Sequence, residues 1–190
     1  MQAMNNLKEL TKEQHRNAER SLFVKNLIKK QITTYQYYVY LSNQFLMYST
    51  LEHHSEELGI LRGLENIYRS LAIARDLSEL EKEYNFRPPT VLYSTIKYMK
   101  YIYKIKDDQD KLLSHIYVRH MGDLSGGQII KRFVPGSGAY YEFDSDVTEL
   151  KEKLREKLHD GMAPEAKICF QLISEFMEEL EKSLDMVAPD

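Results

Sequence analysis

A chain of 190 residues, 43% hydrophobic and 29% charged, has the balance of an ordinary soluble domain large enough for a substantial core. Its net charge of −3 gives no global reason to bind nucleic acid or an anionic membrane, and neither is expected as a partner. The single cysteine, Cys169, has no partner for an internal disulfide and suits a reducing compartment.

The opening residues M-Q-A-M-N-N-L-K-E-L hold no apolar signal-peptide core, and no apolar run approaches the roughly 18 residues of a membrane span. A soluble, cytoplasmic protein is expected, with one domain over residues 1–190. Almost every segment has the helical period and almost none alternates as a strand would. The first helix is predicted from an N-cap at Asn5 or Asn6 to about residue 29, with Leu7, Leu10, Ala18 and Leu22 as its apolar stripe. A tyrosine-rich second helix spans about 33–58 and stops before Gly59. A third spans about 64–83, with Ile67, Leu71, Ala74 and Leu77 in register. Tyr84-Asn85-Phe86-Arg87-Pro88-Pro89 breaks the pattern.

A fourth helix covers about 90–106, and the Asp107-Asp108 turn leads into a helix that carries glycines. Pro135-Gly136-Ser137-Gly138 opens a loop through Phe143. The last helices cover about 144–159 and 164–184, with Pro164 suited to a first helical turn. The fold class is therefore all-α, some seven helices in one orthogonal bundle.

The stretch from residue 115 to 132, H-I-Y-V-R-H-M-G-D-L-S-G-G-Q-I-I-K-R, is the energetic anomaly. Gly122, Gly126 and Gly127 fall within six residues of a helical pattern. Each glycine inside a helix costs roughly 1 kcal/mol relative to alanine. Two reasons can justify that cost: the backbone bends there, or something must come close to it.

Six histidines are present. His53 and His54 lie in the polar run E-H-H-S-E-E and read as a solvated helix face; a di-iron bundle would need a second Glu-x-x-His pair that the chain lacks. His159 suits a helix C-terminus. His115 and His120 flank the glycines. His15 shares a helix face with Lys8, Thr11, Lys12 and Glu19 by their spacing of three, four and seven. An imidazole is a natural iron ligand and lysines suit carboxylates, although spacing alone equally describes a polar surface. Lys151 and Arg155, one turn apart among Glu149, Glu152 and Glu156, read by themselves as a surface pattern.

Leu124-Ser125-Gly126-Gly127-Gln128 matches the LSGGQ signature of ABC-type ATPases, but the chain has neither a G-x-x-x-x-G-K-[S/T] phosphate loop nor strands to carry one. The longer string H-I-Y-V-R-H-M-G-D-L-S-G-G-Q closely resembles the haem oxygenase signature, roughly A-H-x-Y-x-R-Y-x-G-D-L-S-G-G. Ser114 stands in place of the usual alanine and His120 in place of the usual tyrosine. T-K-E-Q-H-R-N-A-E near the start is similar to the family's haem-ligand segment, and the order of helices fits over nearly the whole chain.

The resemblance implies a site residue by residue. His15 would be the proximal iron ligand with Glu19 beside it. Lys8, Lys12, Tyr117, Lys151 and Arg155 would hold the propionates of haem b, which is both substrate and cofactor. Gly122, Gly126 and Gly127 would lie over the distal face, where Asp123 anchors water near bound oxygen; Phe170 would pack in the pocket wall. His120 is expected to face the core. The implied reaction consumes O₂ and electrons and opens the ring to biliverdin, of the IX-α isomer by family habit, with CO and Fe²⁺. The electrons would come from an external protein donor such as a ferredoxin, and a bilin reductase would act downstream; Lys97, Lys100 and Lys104, near Lys106, make a basic helix face where an acidic ferredoxin could dock, although such a face reads first as a solvated surface. The rival reading is a haem-binding or storage protein of the same fold without turnover.

Overall fold

The computed structural model describes residues 6–190. Ten α-helices and three short 3-10 turns make up its regular structure, with no strand among the described residues, so the chain is all-α as expected. Asn5 lies outside the described residues; Asn6 precedes the first helix without a side-chain capping bond.

The first predicted helix is three helices, α1 (Leu7–Leu10), α2 (Lys12–Glu19) and α3 (Leu22–Ile28). The breaks have local causes. Buried Thr11 donates its hydroxyl back to the Leu7 carbonyl at 2.8 Å, a side-chain bond that competes with a continuous ladder. Ser21 then caps α3 by accepting from the Val24 N–H. Leu7 is fully buried, but Leu10, expected in the same stripe, is exposed because α1 is a single turn.

α4 (Thr34–Glu57) begins at a reciprocal capping box between Thr33 and Gln36. It buries residues all round, among them Tyr37, Tyr38, Leu41, Met47, Tyr48 and Leu51, and so acts as the central post of the bundle. α5 (Ser70–Tyr84), α6 (Tyr93–Ile105) and α7 (Gln109–Ser125) pack on it. α8 (Gly127–Ile130) continues from α7; α9 (Val147–Arg155) and α10 (Ala163–Ser183) cover α7 from the other side.

The third predicted helix needs correcting in start and register. Residues Glu65–Ile67 form a 3-10 turn, and α5 starts only at Ser70. Glu52 of α4 accepts the backbone N–H groups of Arg69 and Ser70 at 2.5 and 3.1 Å, which satisfies donors that a helix start leaves unpaired. This tertiary cap turns Ile73, Asp76 and Leu80 inward and leaves Leu71 77% exposed. Asn85, in the left-handed region at φ 54°, ends the helix.

Buried Asp76 accepts the N–H groups of Ala139 and Tyr140, both at 2.8 Å. It thereby fixes the 3-10 turn Ala139–Tyr141 against α5 and delivers two tyrosine rings toward the glycines of α7 and α8.

Candidate functional site

None of the three clustered glycines has positive φ, so the left-handed freedom of glycine is not what they supply. α7 runs through Gly122 to Ser125, and Gly126 stays helical at φ −64°. What separates the three is the space a side chain would meet. A Cβ on Gly122 would meet nothing within 4 Å, and one on Gly126 only the Gly122 carbonyl oxygen at 3.7 Å. A Cβ on Gly127 would stand 2.7 Å from Tyr141 Cδ1. Gly122 and Gly126 therefore leave backbone open to a visitor, whereas buried Gly127 leaves room for Tyr141.

Asp123 lies between them in sequence, 7% exposed, and accepts the Tyr48 hydroxyl at 2.7 Å. Burial pushes its carboxyl up to about 6, while nearby His120 and the Tyr48 bond pull it the other way. Such a group exchanges a proton near neutrality. The Tyr140 ring meets Tyr48 edge-on at 5.6 Å and stacks on Tyr141 at 4.2 Å. Gln128 donates to the Tyr141 carbonyl at 3.1 Å and ties the turn to α8.

The two histidines flanking the glycines belong to the core. His115 is fully buried, with Nδ1 2.9 Å from the Tyr98 hydroxyl and Nε2 3.0 Å from Glu165. Burial disfavours its charge, but the partners Cys169 and Glu165 raise its proton affinity overall. Arg119 donates to Tyr98 and Gln44 and lies 4.2 Å over the Tyr98 ring. His120 is fully buried with Nε2 2.9 Å from Glu52, as the core expectation has it.

His15 is different: its side chain is 55% exposed. Glu19 approaches its Nε2 at 3.5 Å and Phe170 of α10 meets the ring edge-on at 6.1 Å. α2 packs on α10, and the Thr11 hydroxyl lies 3.4 Å from the Tyr117 hydroxyl of α7. That contact ties the His15 segment to the helix bearing Gly122. Lys8 and Lys12 are exposed on the same segment; Lys12 pairs with Glu9 at 3.2 Å. Lys151 and Arg155 lie on α9 beside α7, Lys151 half-buried and Arg155 exposed. α2 thus carries an exposed imidazole and α7 an open stretch of backbone, with cations on α1, α2 and α9. A flat ligand with a metal centre and acidic edges fits that chemistry.

Two further polar sets are present. His53, His54 and Glu57 bring ligand atoms within 4.8 Å of one another at the end of α4, where Glu57 already pairs with both histidines. On α6, exposed Lys97 pairs with Glu175 at 2.5 Å, and Lys100 and Lys104 are exposed on the same face.

Sequence reasoning missed the buried charged residues that do the positioning. Glu52, Asp76 and Arg69 are buried and bonded to backbone of distant segments. Nothing in their local spacing announces this. Tyr48 was visible only as one tyrosine among many on its helix.

Residues 1–179 match the family model described as Heme oxygenase. The "Heme oxygenase" of Guillardia theta is 31% identical, over 93% of this chain and 85% of its own length. The solved heme oxygenase of Leptospira interrogans superposes with a TM-score of 0.80 at 28% identity, covering 91% of this chain and 97% of its own. Heme oxygenase-1 of the cyanobacterium Synechocystis, solved in complex with heme, superposes at 0.81 with 25% identity over 94% of this chain and 92% of its own.

Proposed function

The chain belongs to the haem oxygenase family of haem-degrading oxidoreductases, and from that premise we propose that it converts haem b to biliverdin IX-α, CO and Fe²⁺ between α2 and α7. The observation that carries the site is the combination of a half-exposed His15 imidazole with a Gly122 whose Cβ position is open. That exposure sets His15 apart from the buried His115 and His120.

Haem supplies the redox chemistry when bound, as substrate and cofactor together. The protein's part is to hold, exclude and deliver. Glu19, 3.5 Å from His15 Nε2, would orient the imidazole as an iron ligand. Lys8, Lys12, Tyr117, Lys151 and Arg155 hold the propionates; arginine can clamp a carboxylate with two bonds. Lys12 exchanges Glu9 for that role. Phe170 closes the wall beside His15.

Gly122 and Gly126 let backbone lie close over the distal face, where a bulky side chain would block oxygen or redirect it. Asp123 is held from behind by Tyr48 and delivers its proton through ordered water. A carboxyl poised near pH 6 can give and regain that proton in each cycle. A storage protein needs the histidine and the cations but has no use for a buried, proton-exchanging carboxyl beside open backbone, which favours turnover.

Electrons come from a protein donor. A ferredoxin with an acidic surface suits the Lys100 and Lys104 face of α6, and a bilin reductase consuming the product follows from the product's chemistry. The reaction is placed in the cytoplasm with diffusing partners; no helix among the described residues is long and apolar enough to cross a membrane.

Haemin added to the purified chain should give a histidine-ligated Soret band, which decays into biliverdin absorption when a reductant system is supplied in air. A Soret band that persists under those conditions would overturn turnover and leave the storage reading. His15→Ala should lose the histidine-ligated spectrum.

A further inference from the structure

We propose that His120, paired with Glu52, is a positioning residue that sets how readily Asp123 holds its proton. The proposal rests on the reading of Asp123 as the proton-delivering group. It concerns a place where this chain carries an imidazole and the signature usually has a tyrosine.

His120 and Asp123 are three residues apart on α7 and so share a helix face. The Tyr48 side chain links the two: its ring lies 5.1 Å from the His120 ring, and its hydroxyl donates to Asp123 at 2.7 Å. His120 Nε2 is 2.9 Å from Glu52. Glu52 cannot swing away, because it also accepts the backbone N–H groups of Arg69 and Ser70. His120 Nδ1 is buried and has no hydrogen-bond partner. A residue kept only for packing would not need a polar atom left unpaired there, since burying one without a partner is unfavourable.

The chemistry of that Nδ1 is what a tyrosine lacks. An imidazole is the side chain that changes charge near neutrality. Bonded to a carboxylate through Nε2, the His120 ring keeps a second nitrogen, Nδ1, about one helical turn from Asp123. The other groups facing Asp123 are fixed. α4 brings Tyr37, Tyr40 and Tyr48, and the 3-10 turn brings Tyr140 and Tyr141; burial keeps all five hydroxyls protonated. Arg69 and, across the Tyr48 ring at 5.4 Å, Arg119 remain cations at every working pH. Burial raises Glu52, but the bonds from His120, Ser70 and Arg69 more than offset it and hold the carboxylate ionised. His120 is the neighbour on the same helix whose field opposes the protonation of Asp123.

Two variants remove the titratable nitrogen in different ways. His120→Tyr installs the residue usual in the signature, and His120→Gln keeps a neutral N–H donor for Glu52. In the haem-free protein, carbon-13 NMR of the Asp123 carboxyl over pH 4–8 reads its midpoint directly. Both variants should raise that midpoint by about half a unit or more, the scale of a nearby charge removed. The acid limb of haem turnover should move with it. An unmoved midpoint in either folded variant, checked by circular dichroism, would reduce His120 to packing and overturn the proposal. A midpoint that moves while the turnover profile stays put would uphold the pair and overturn proton delivery by Asp123 instead.

Discussion

The ring of Tyr141 occupies the place that a side chain at residue 127 would take, with a hypothetical Gly127 Cβ only 2.7 Å from its Cδ1. Tyr141 cannot retreat easily, because its neighbour Tyr140 is bonded through its backbone to Asp76 and stacked on it. Gly127→Ala should therefore cost about 1–3 kcal/mol, the usual range for overpacking a core. Urea unfolding of the haem-free protein would read this as a lowered midpoint. An unchanged midpoint would mean that the Tyr141 ring is free to move.

Gly122 predicts the reverse. Its Cβ position is empty, and alanine in a helix is favoured over glycine by up to about 1 kcal/mol. Gly122→Ala should raise the unfolding temperature of the haem-free protein while weakening haem binding and slowing turnover, because the methyl group enters the space assigned to the ligand. If haem titration gave wild-type affinity and turnover stayed at the wild-type rate, the open side of Gly122 would not be the distal face.

Asp123 carries a stability cost that depends on pH. An unperturbed aspartate titrates near 3.9, and burial moves this one to about 6. The folded state thus favours the protonated form, so stability falls as pH rises from about 4 to about 6 and the full cost stands above that window. A displacement of about two units corresponds to roughly 3 kcal/mol. Asp123→Asn keeps an acceptor for the Tyr48 hydroxyl and cannot ionise. It should be more stable than the parent above pH 6, by up to roughly that amount, and should lose the advantage below pH 4. A pH-independent difference in denaturant midpoint would refute the account. Turnover by this variant should be lost even where it is the more stable protein.

These contrasts show what the sequence makes legible. Helical period and the glycine string act within a few residues of chain, so α4 and the run through Gly122 were readable in advance, whereas the helix expected over 144–159 covers only Val147–Arg155. The break at Thr11 was not, because a hydroxyl that bonds its own helix looks the same on paper as one on the surface. The register of α5 failed for a different reason. Leu71 and Leu77 made the more apolar stripe, yet Glu52 pins the helix start and Asp76 draws one face inward to reach backbone more than sixty residues away. Grouping the three glycines hid a difference between them: an internal tyrosine meets Gly127, while Gly122 and Gly126 have open space beside them.

Asp76 supplies the most demanding test of that long-range wiring, because it lies on a helix that no ligand is assigned to touch. Its carboxylate accepts the Ala139 and Tyr140 N–H groups, each at 2.8 Å, and Tyr140 in turn meets Tyr48, which holds Asp123. Asp76→Ala leaves two backbone donors without an acceptor in a partly buried turn, at a cost of about 1–3 kcal/mol each before water repairs some of it. The variant should bind haem at His15 with an unchanged Soret band, since α2 and α10 are untouched, and yet turn over several-fold more slowly because Tyr48 and Asp123 lose their backing. Leu71→Ser, on the exposed side of the same helix, should alter neither property. A loss of the Soret band in Asp76→Ala without unfolding would show that the turn supports the proximal side instead, and equal turnover in both variants would remove Asp76 from the chain of contacts behind Asp123.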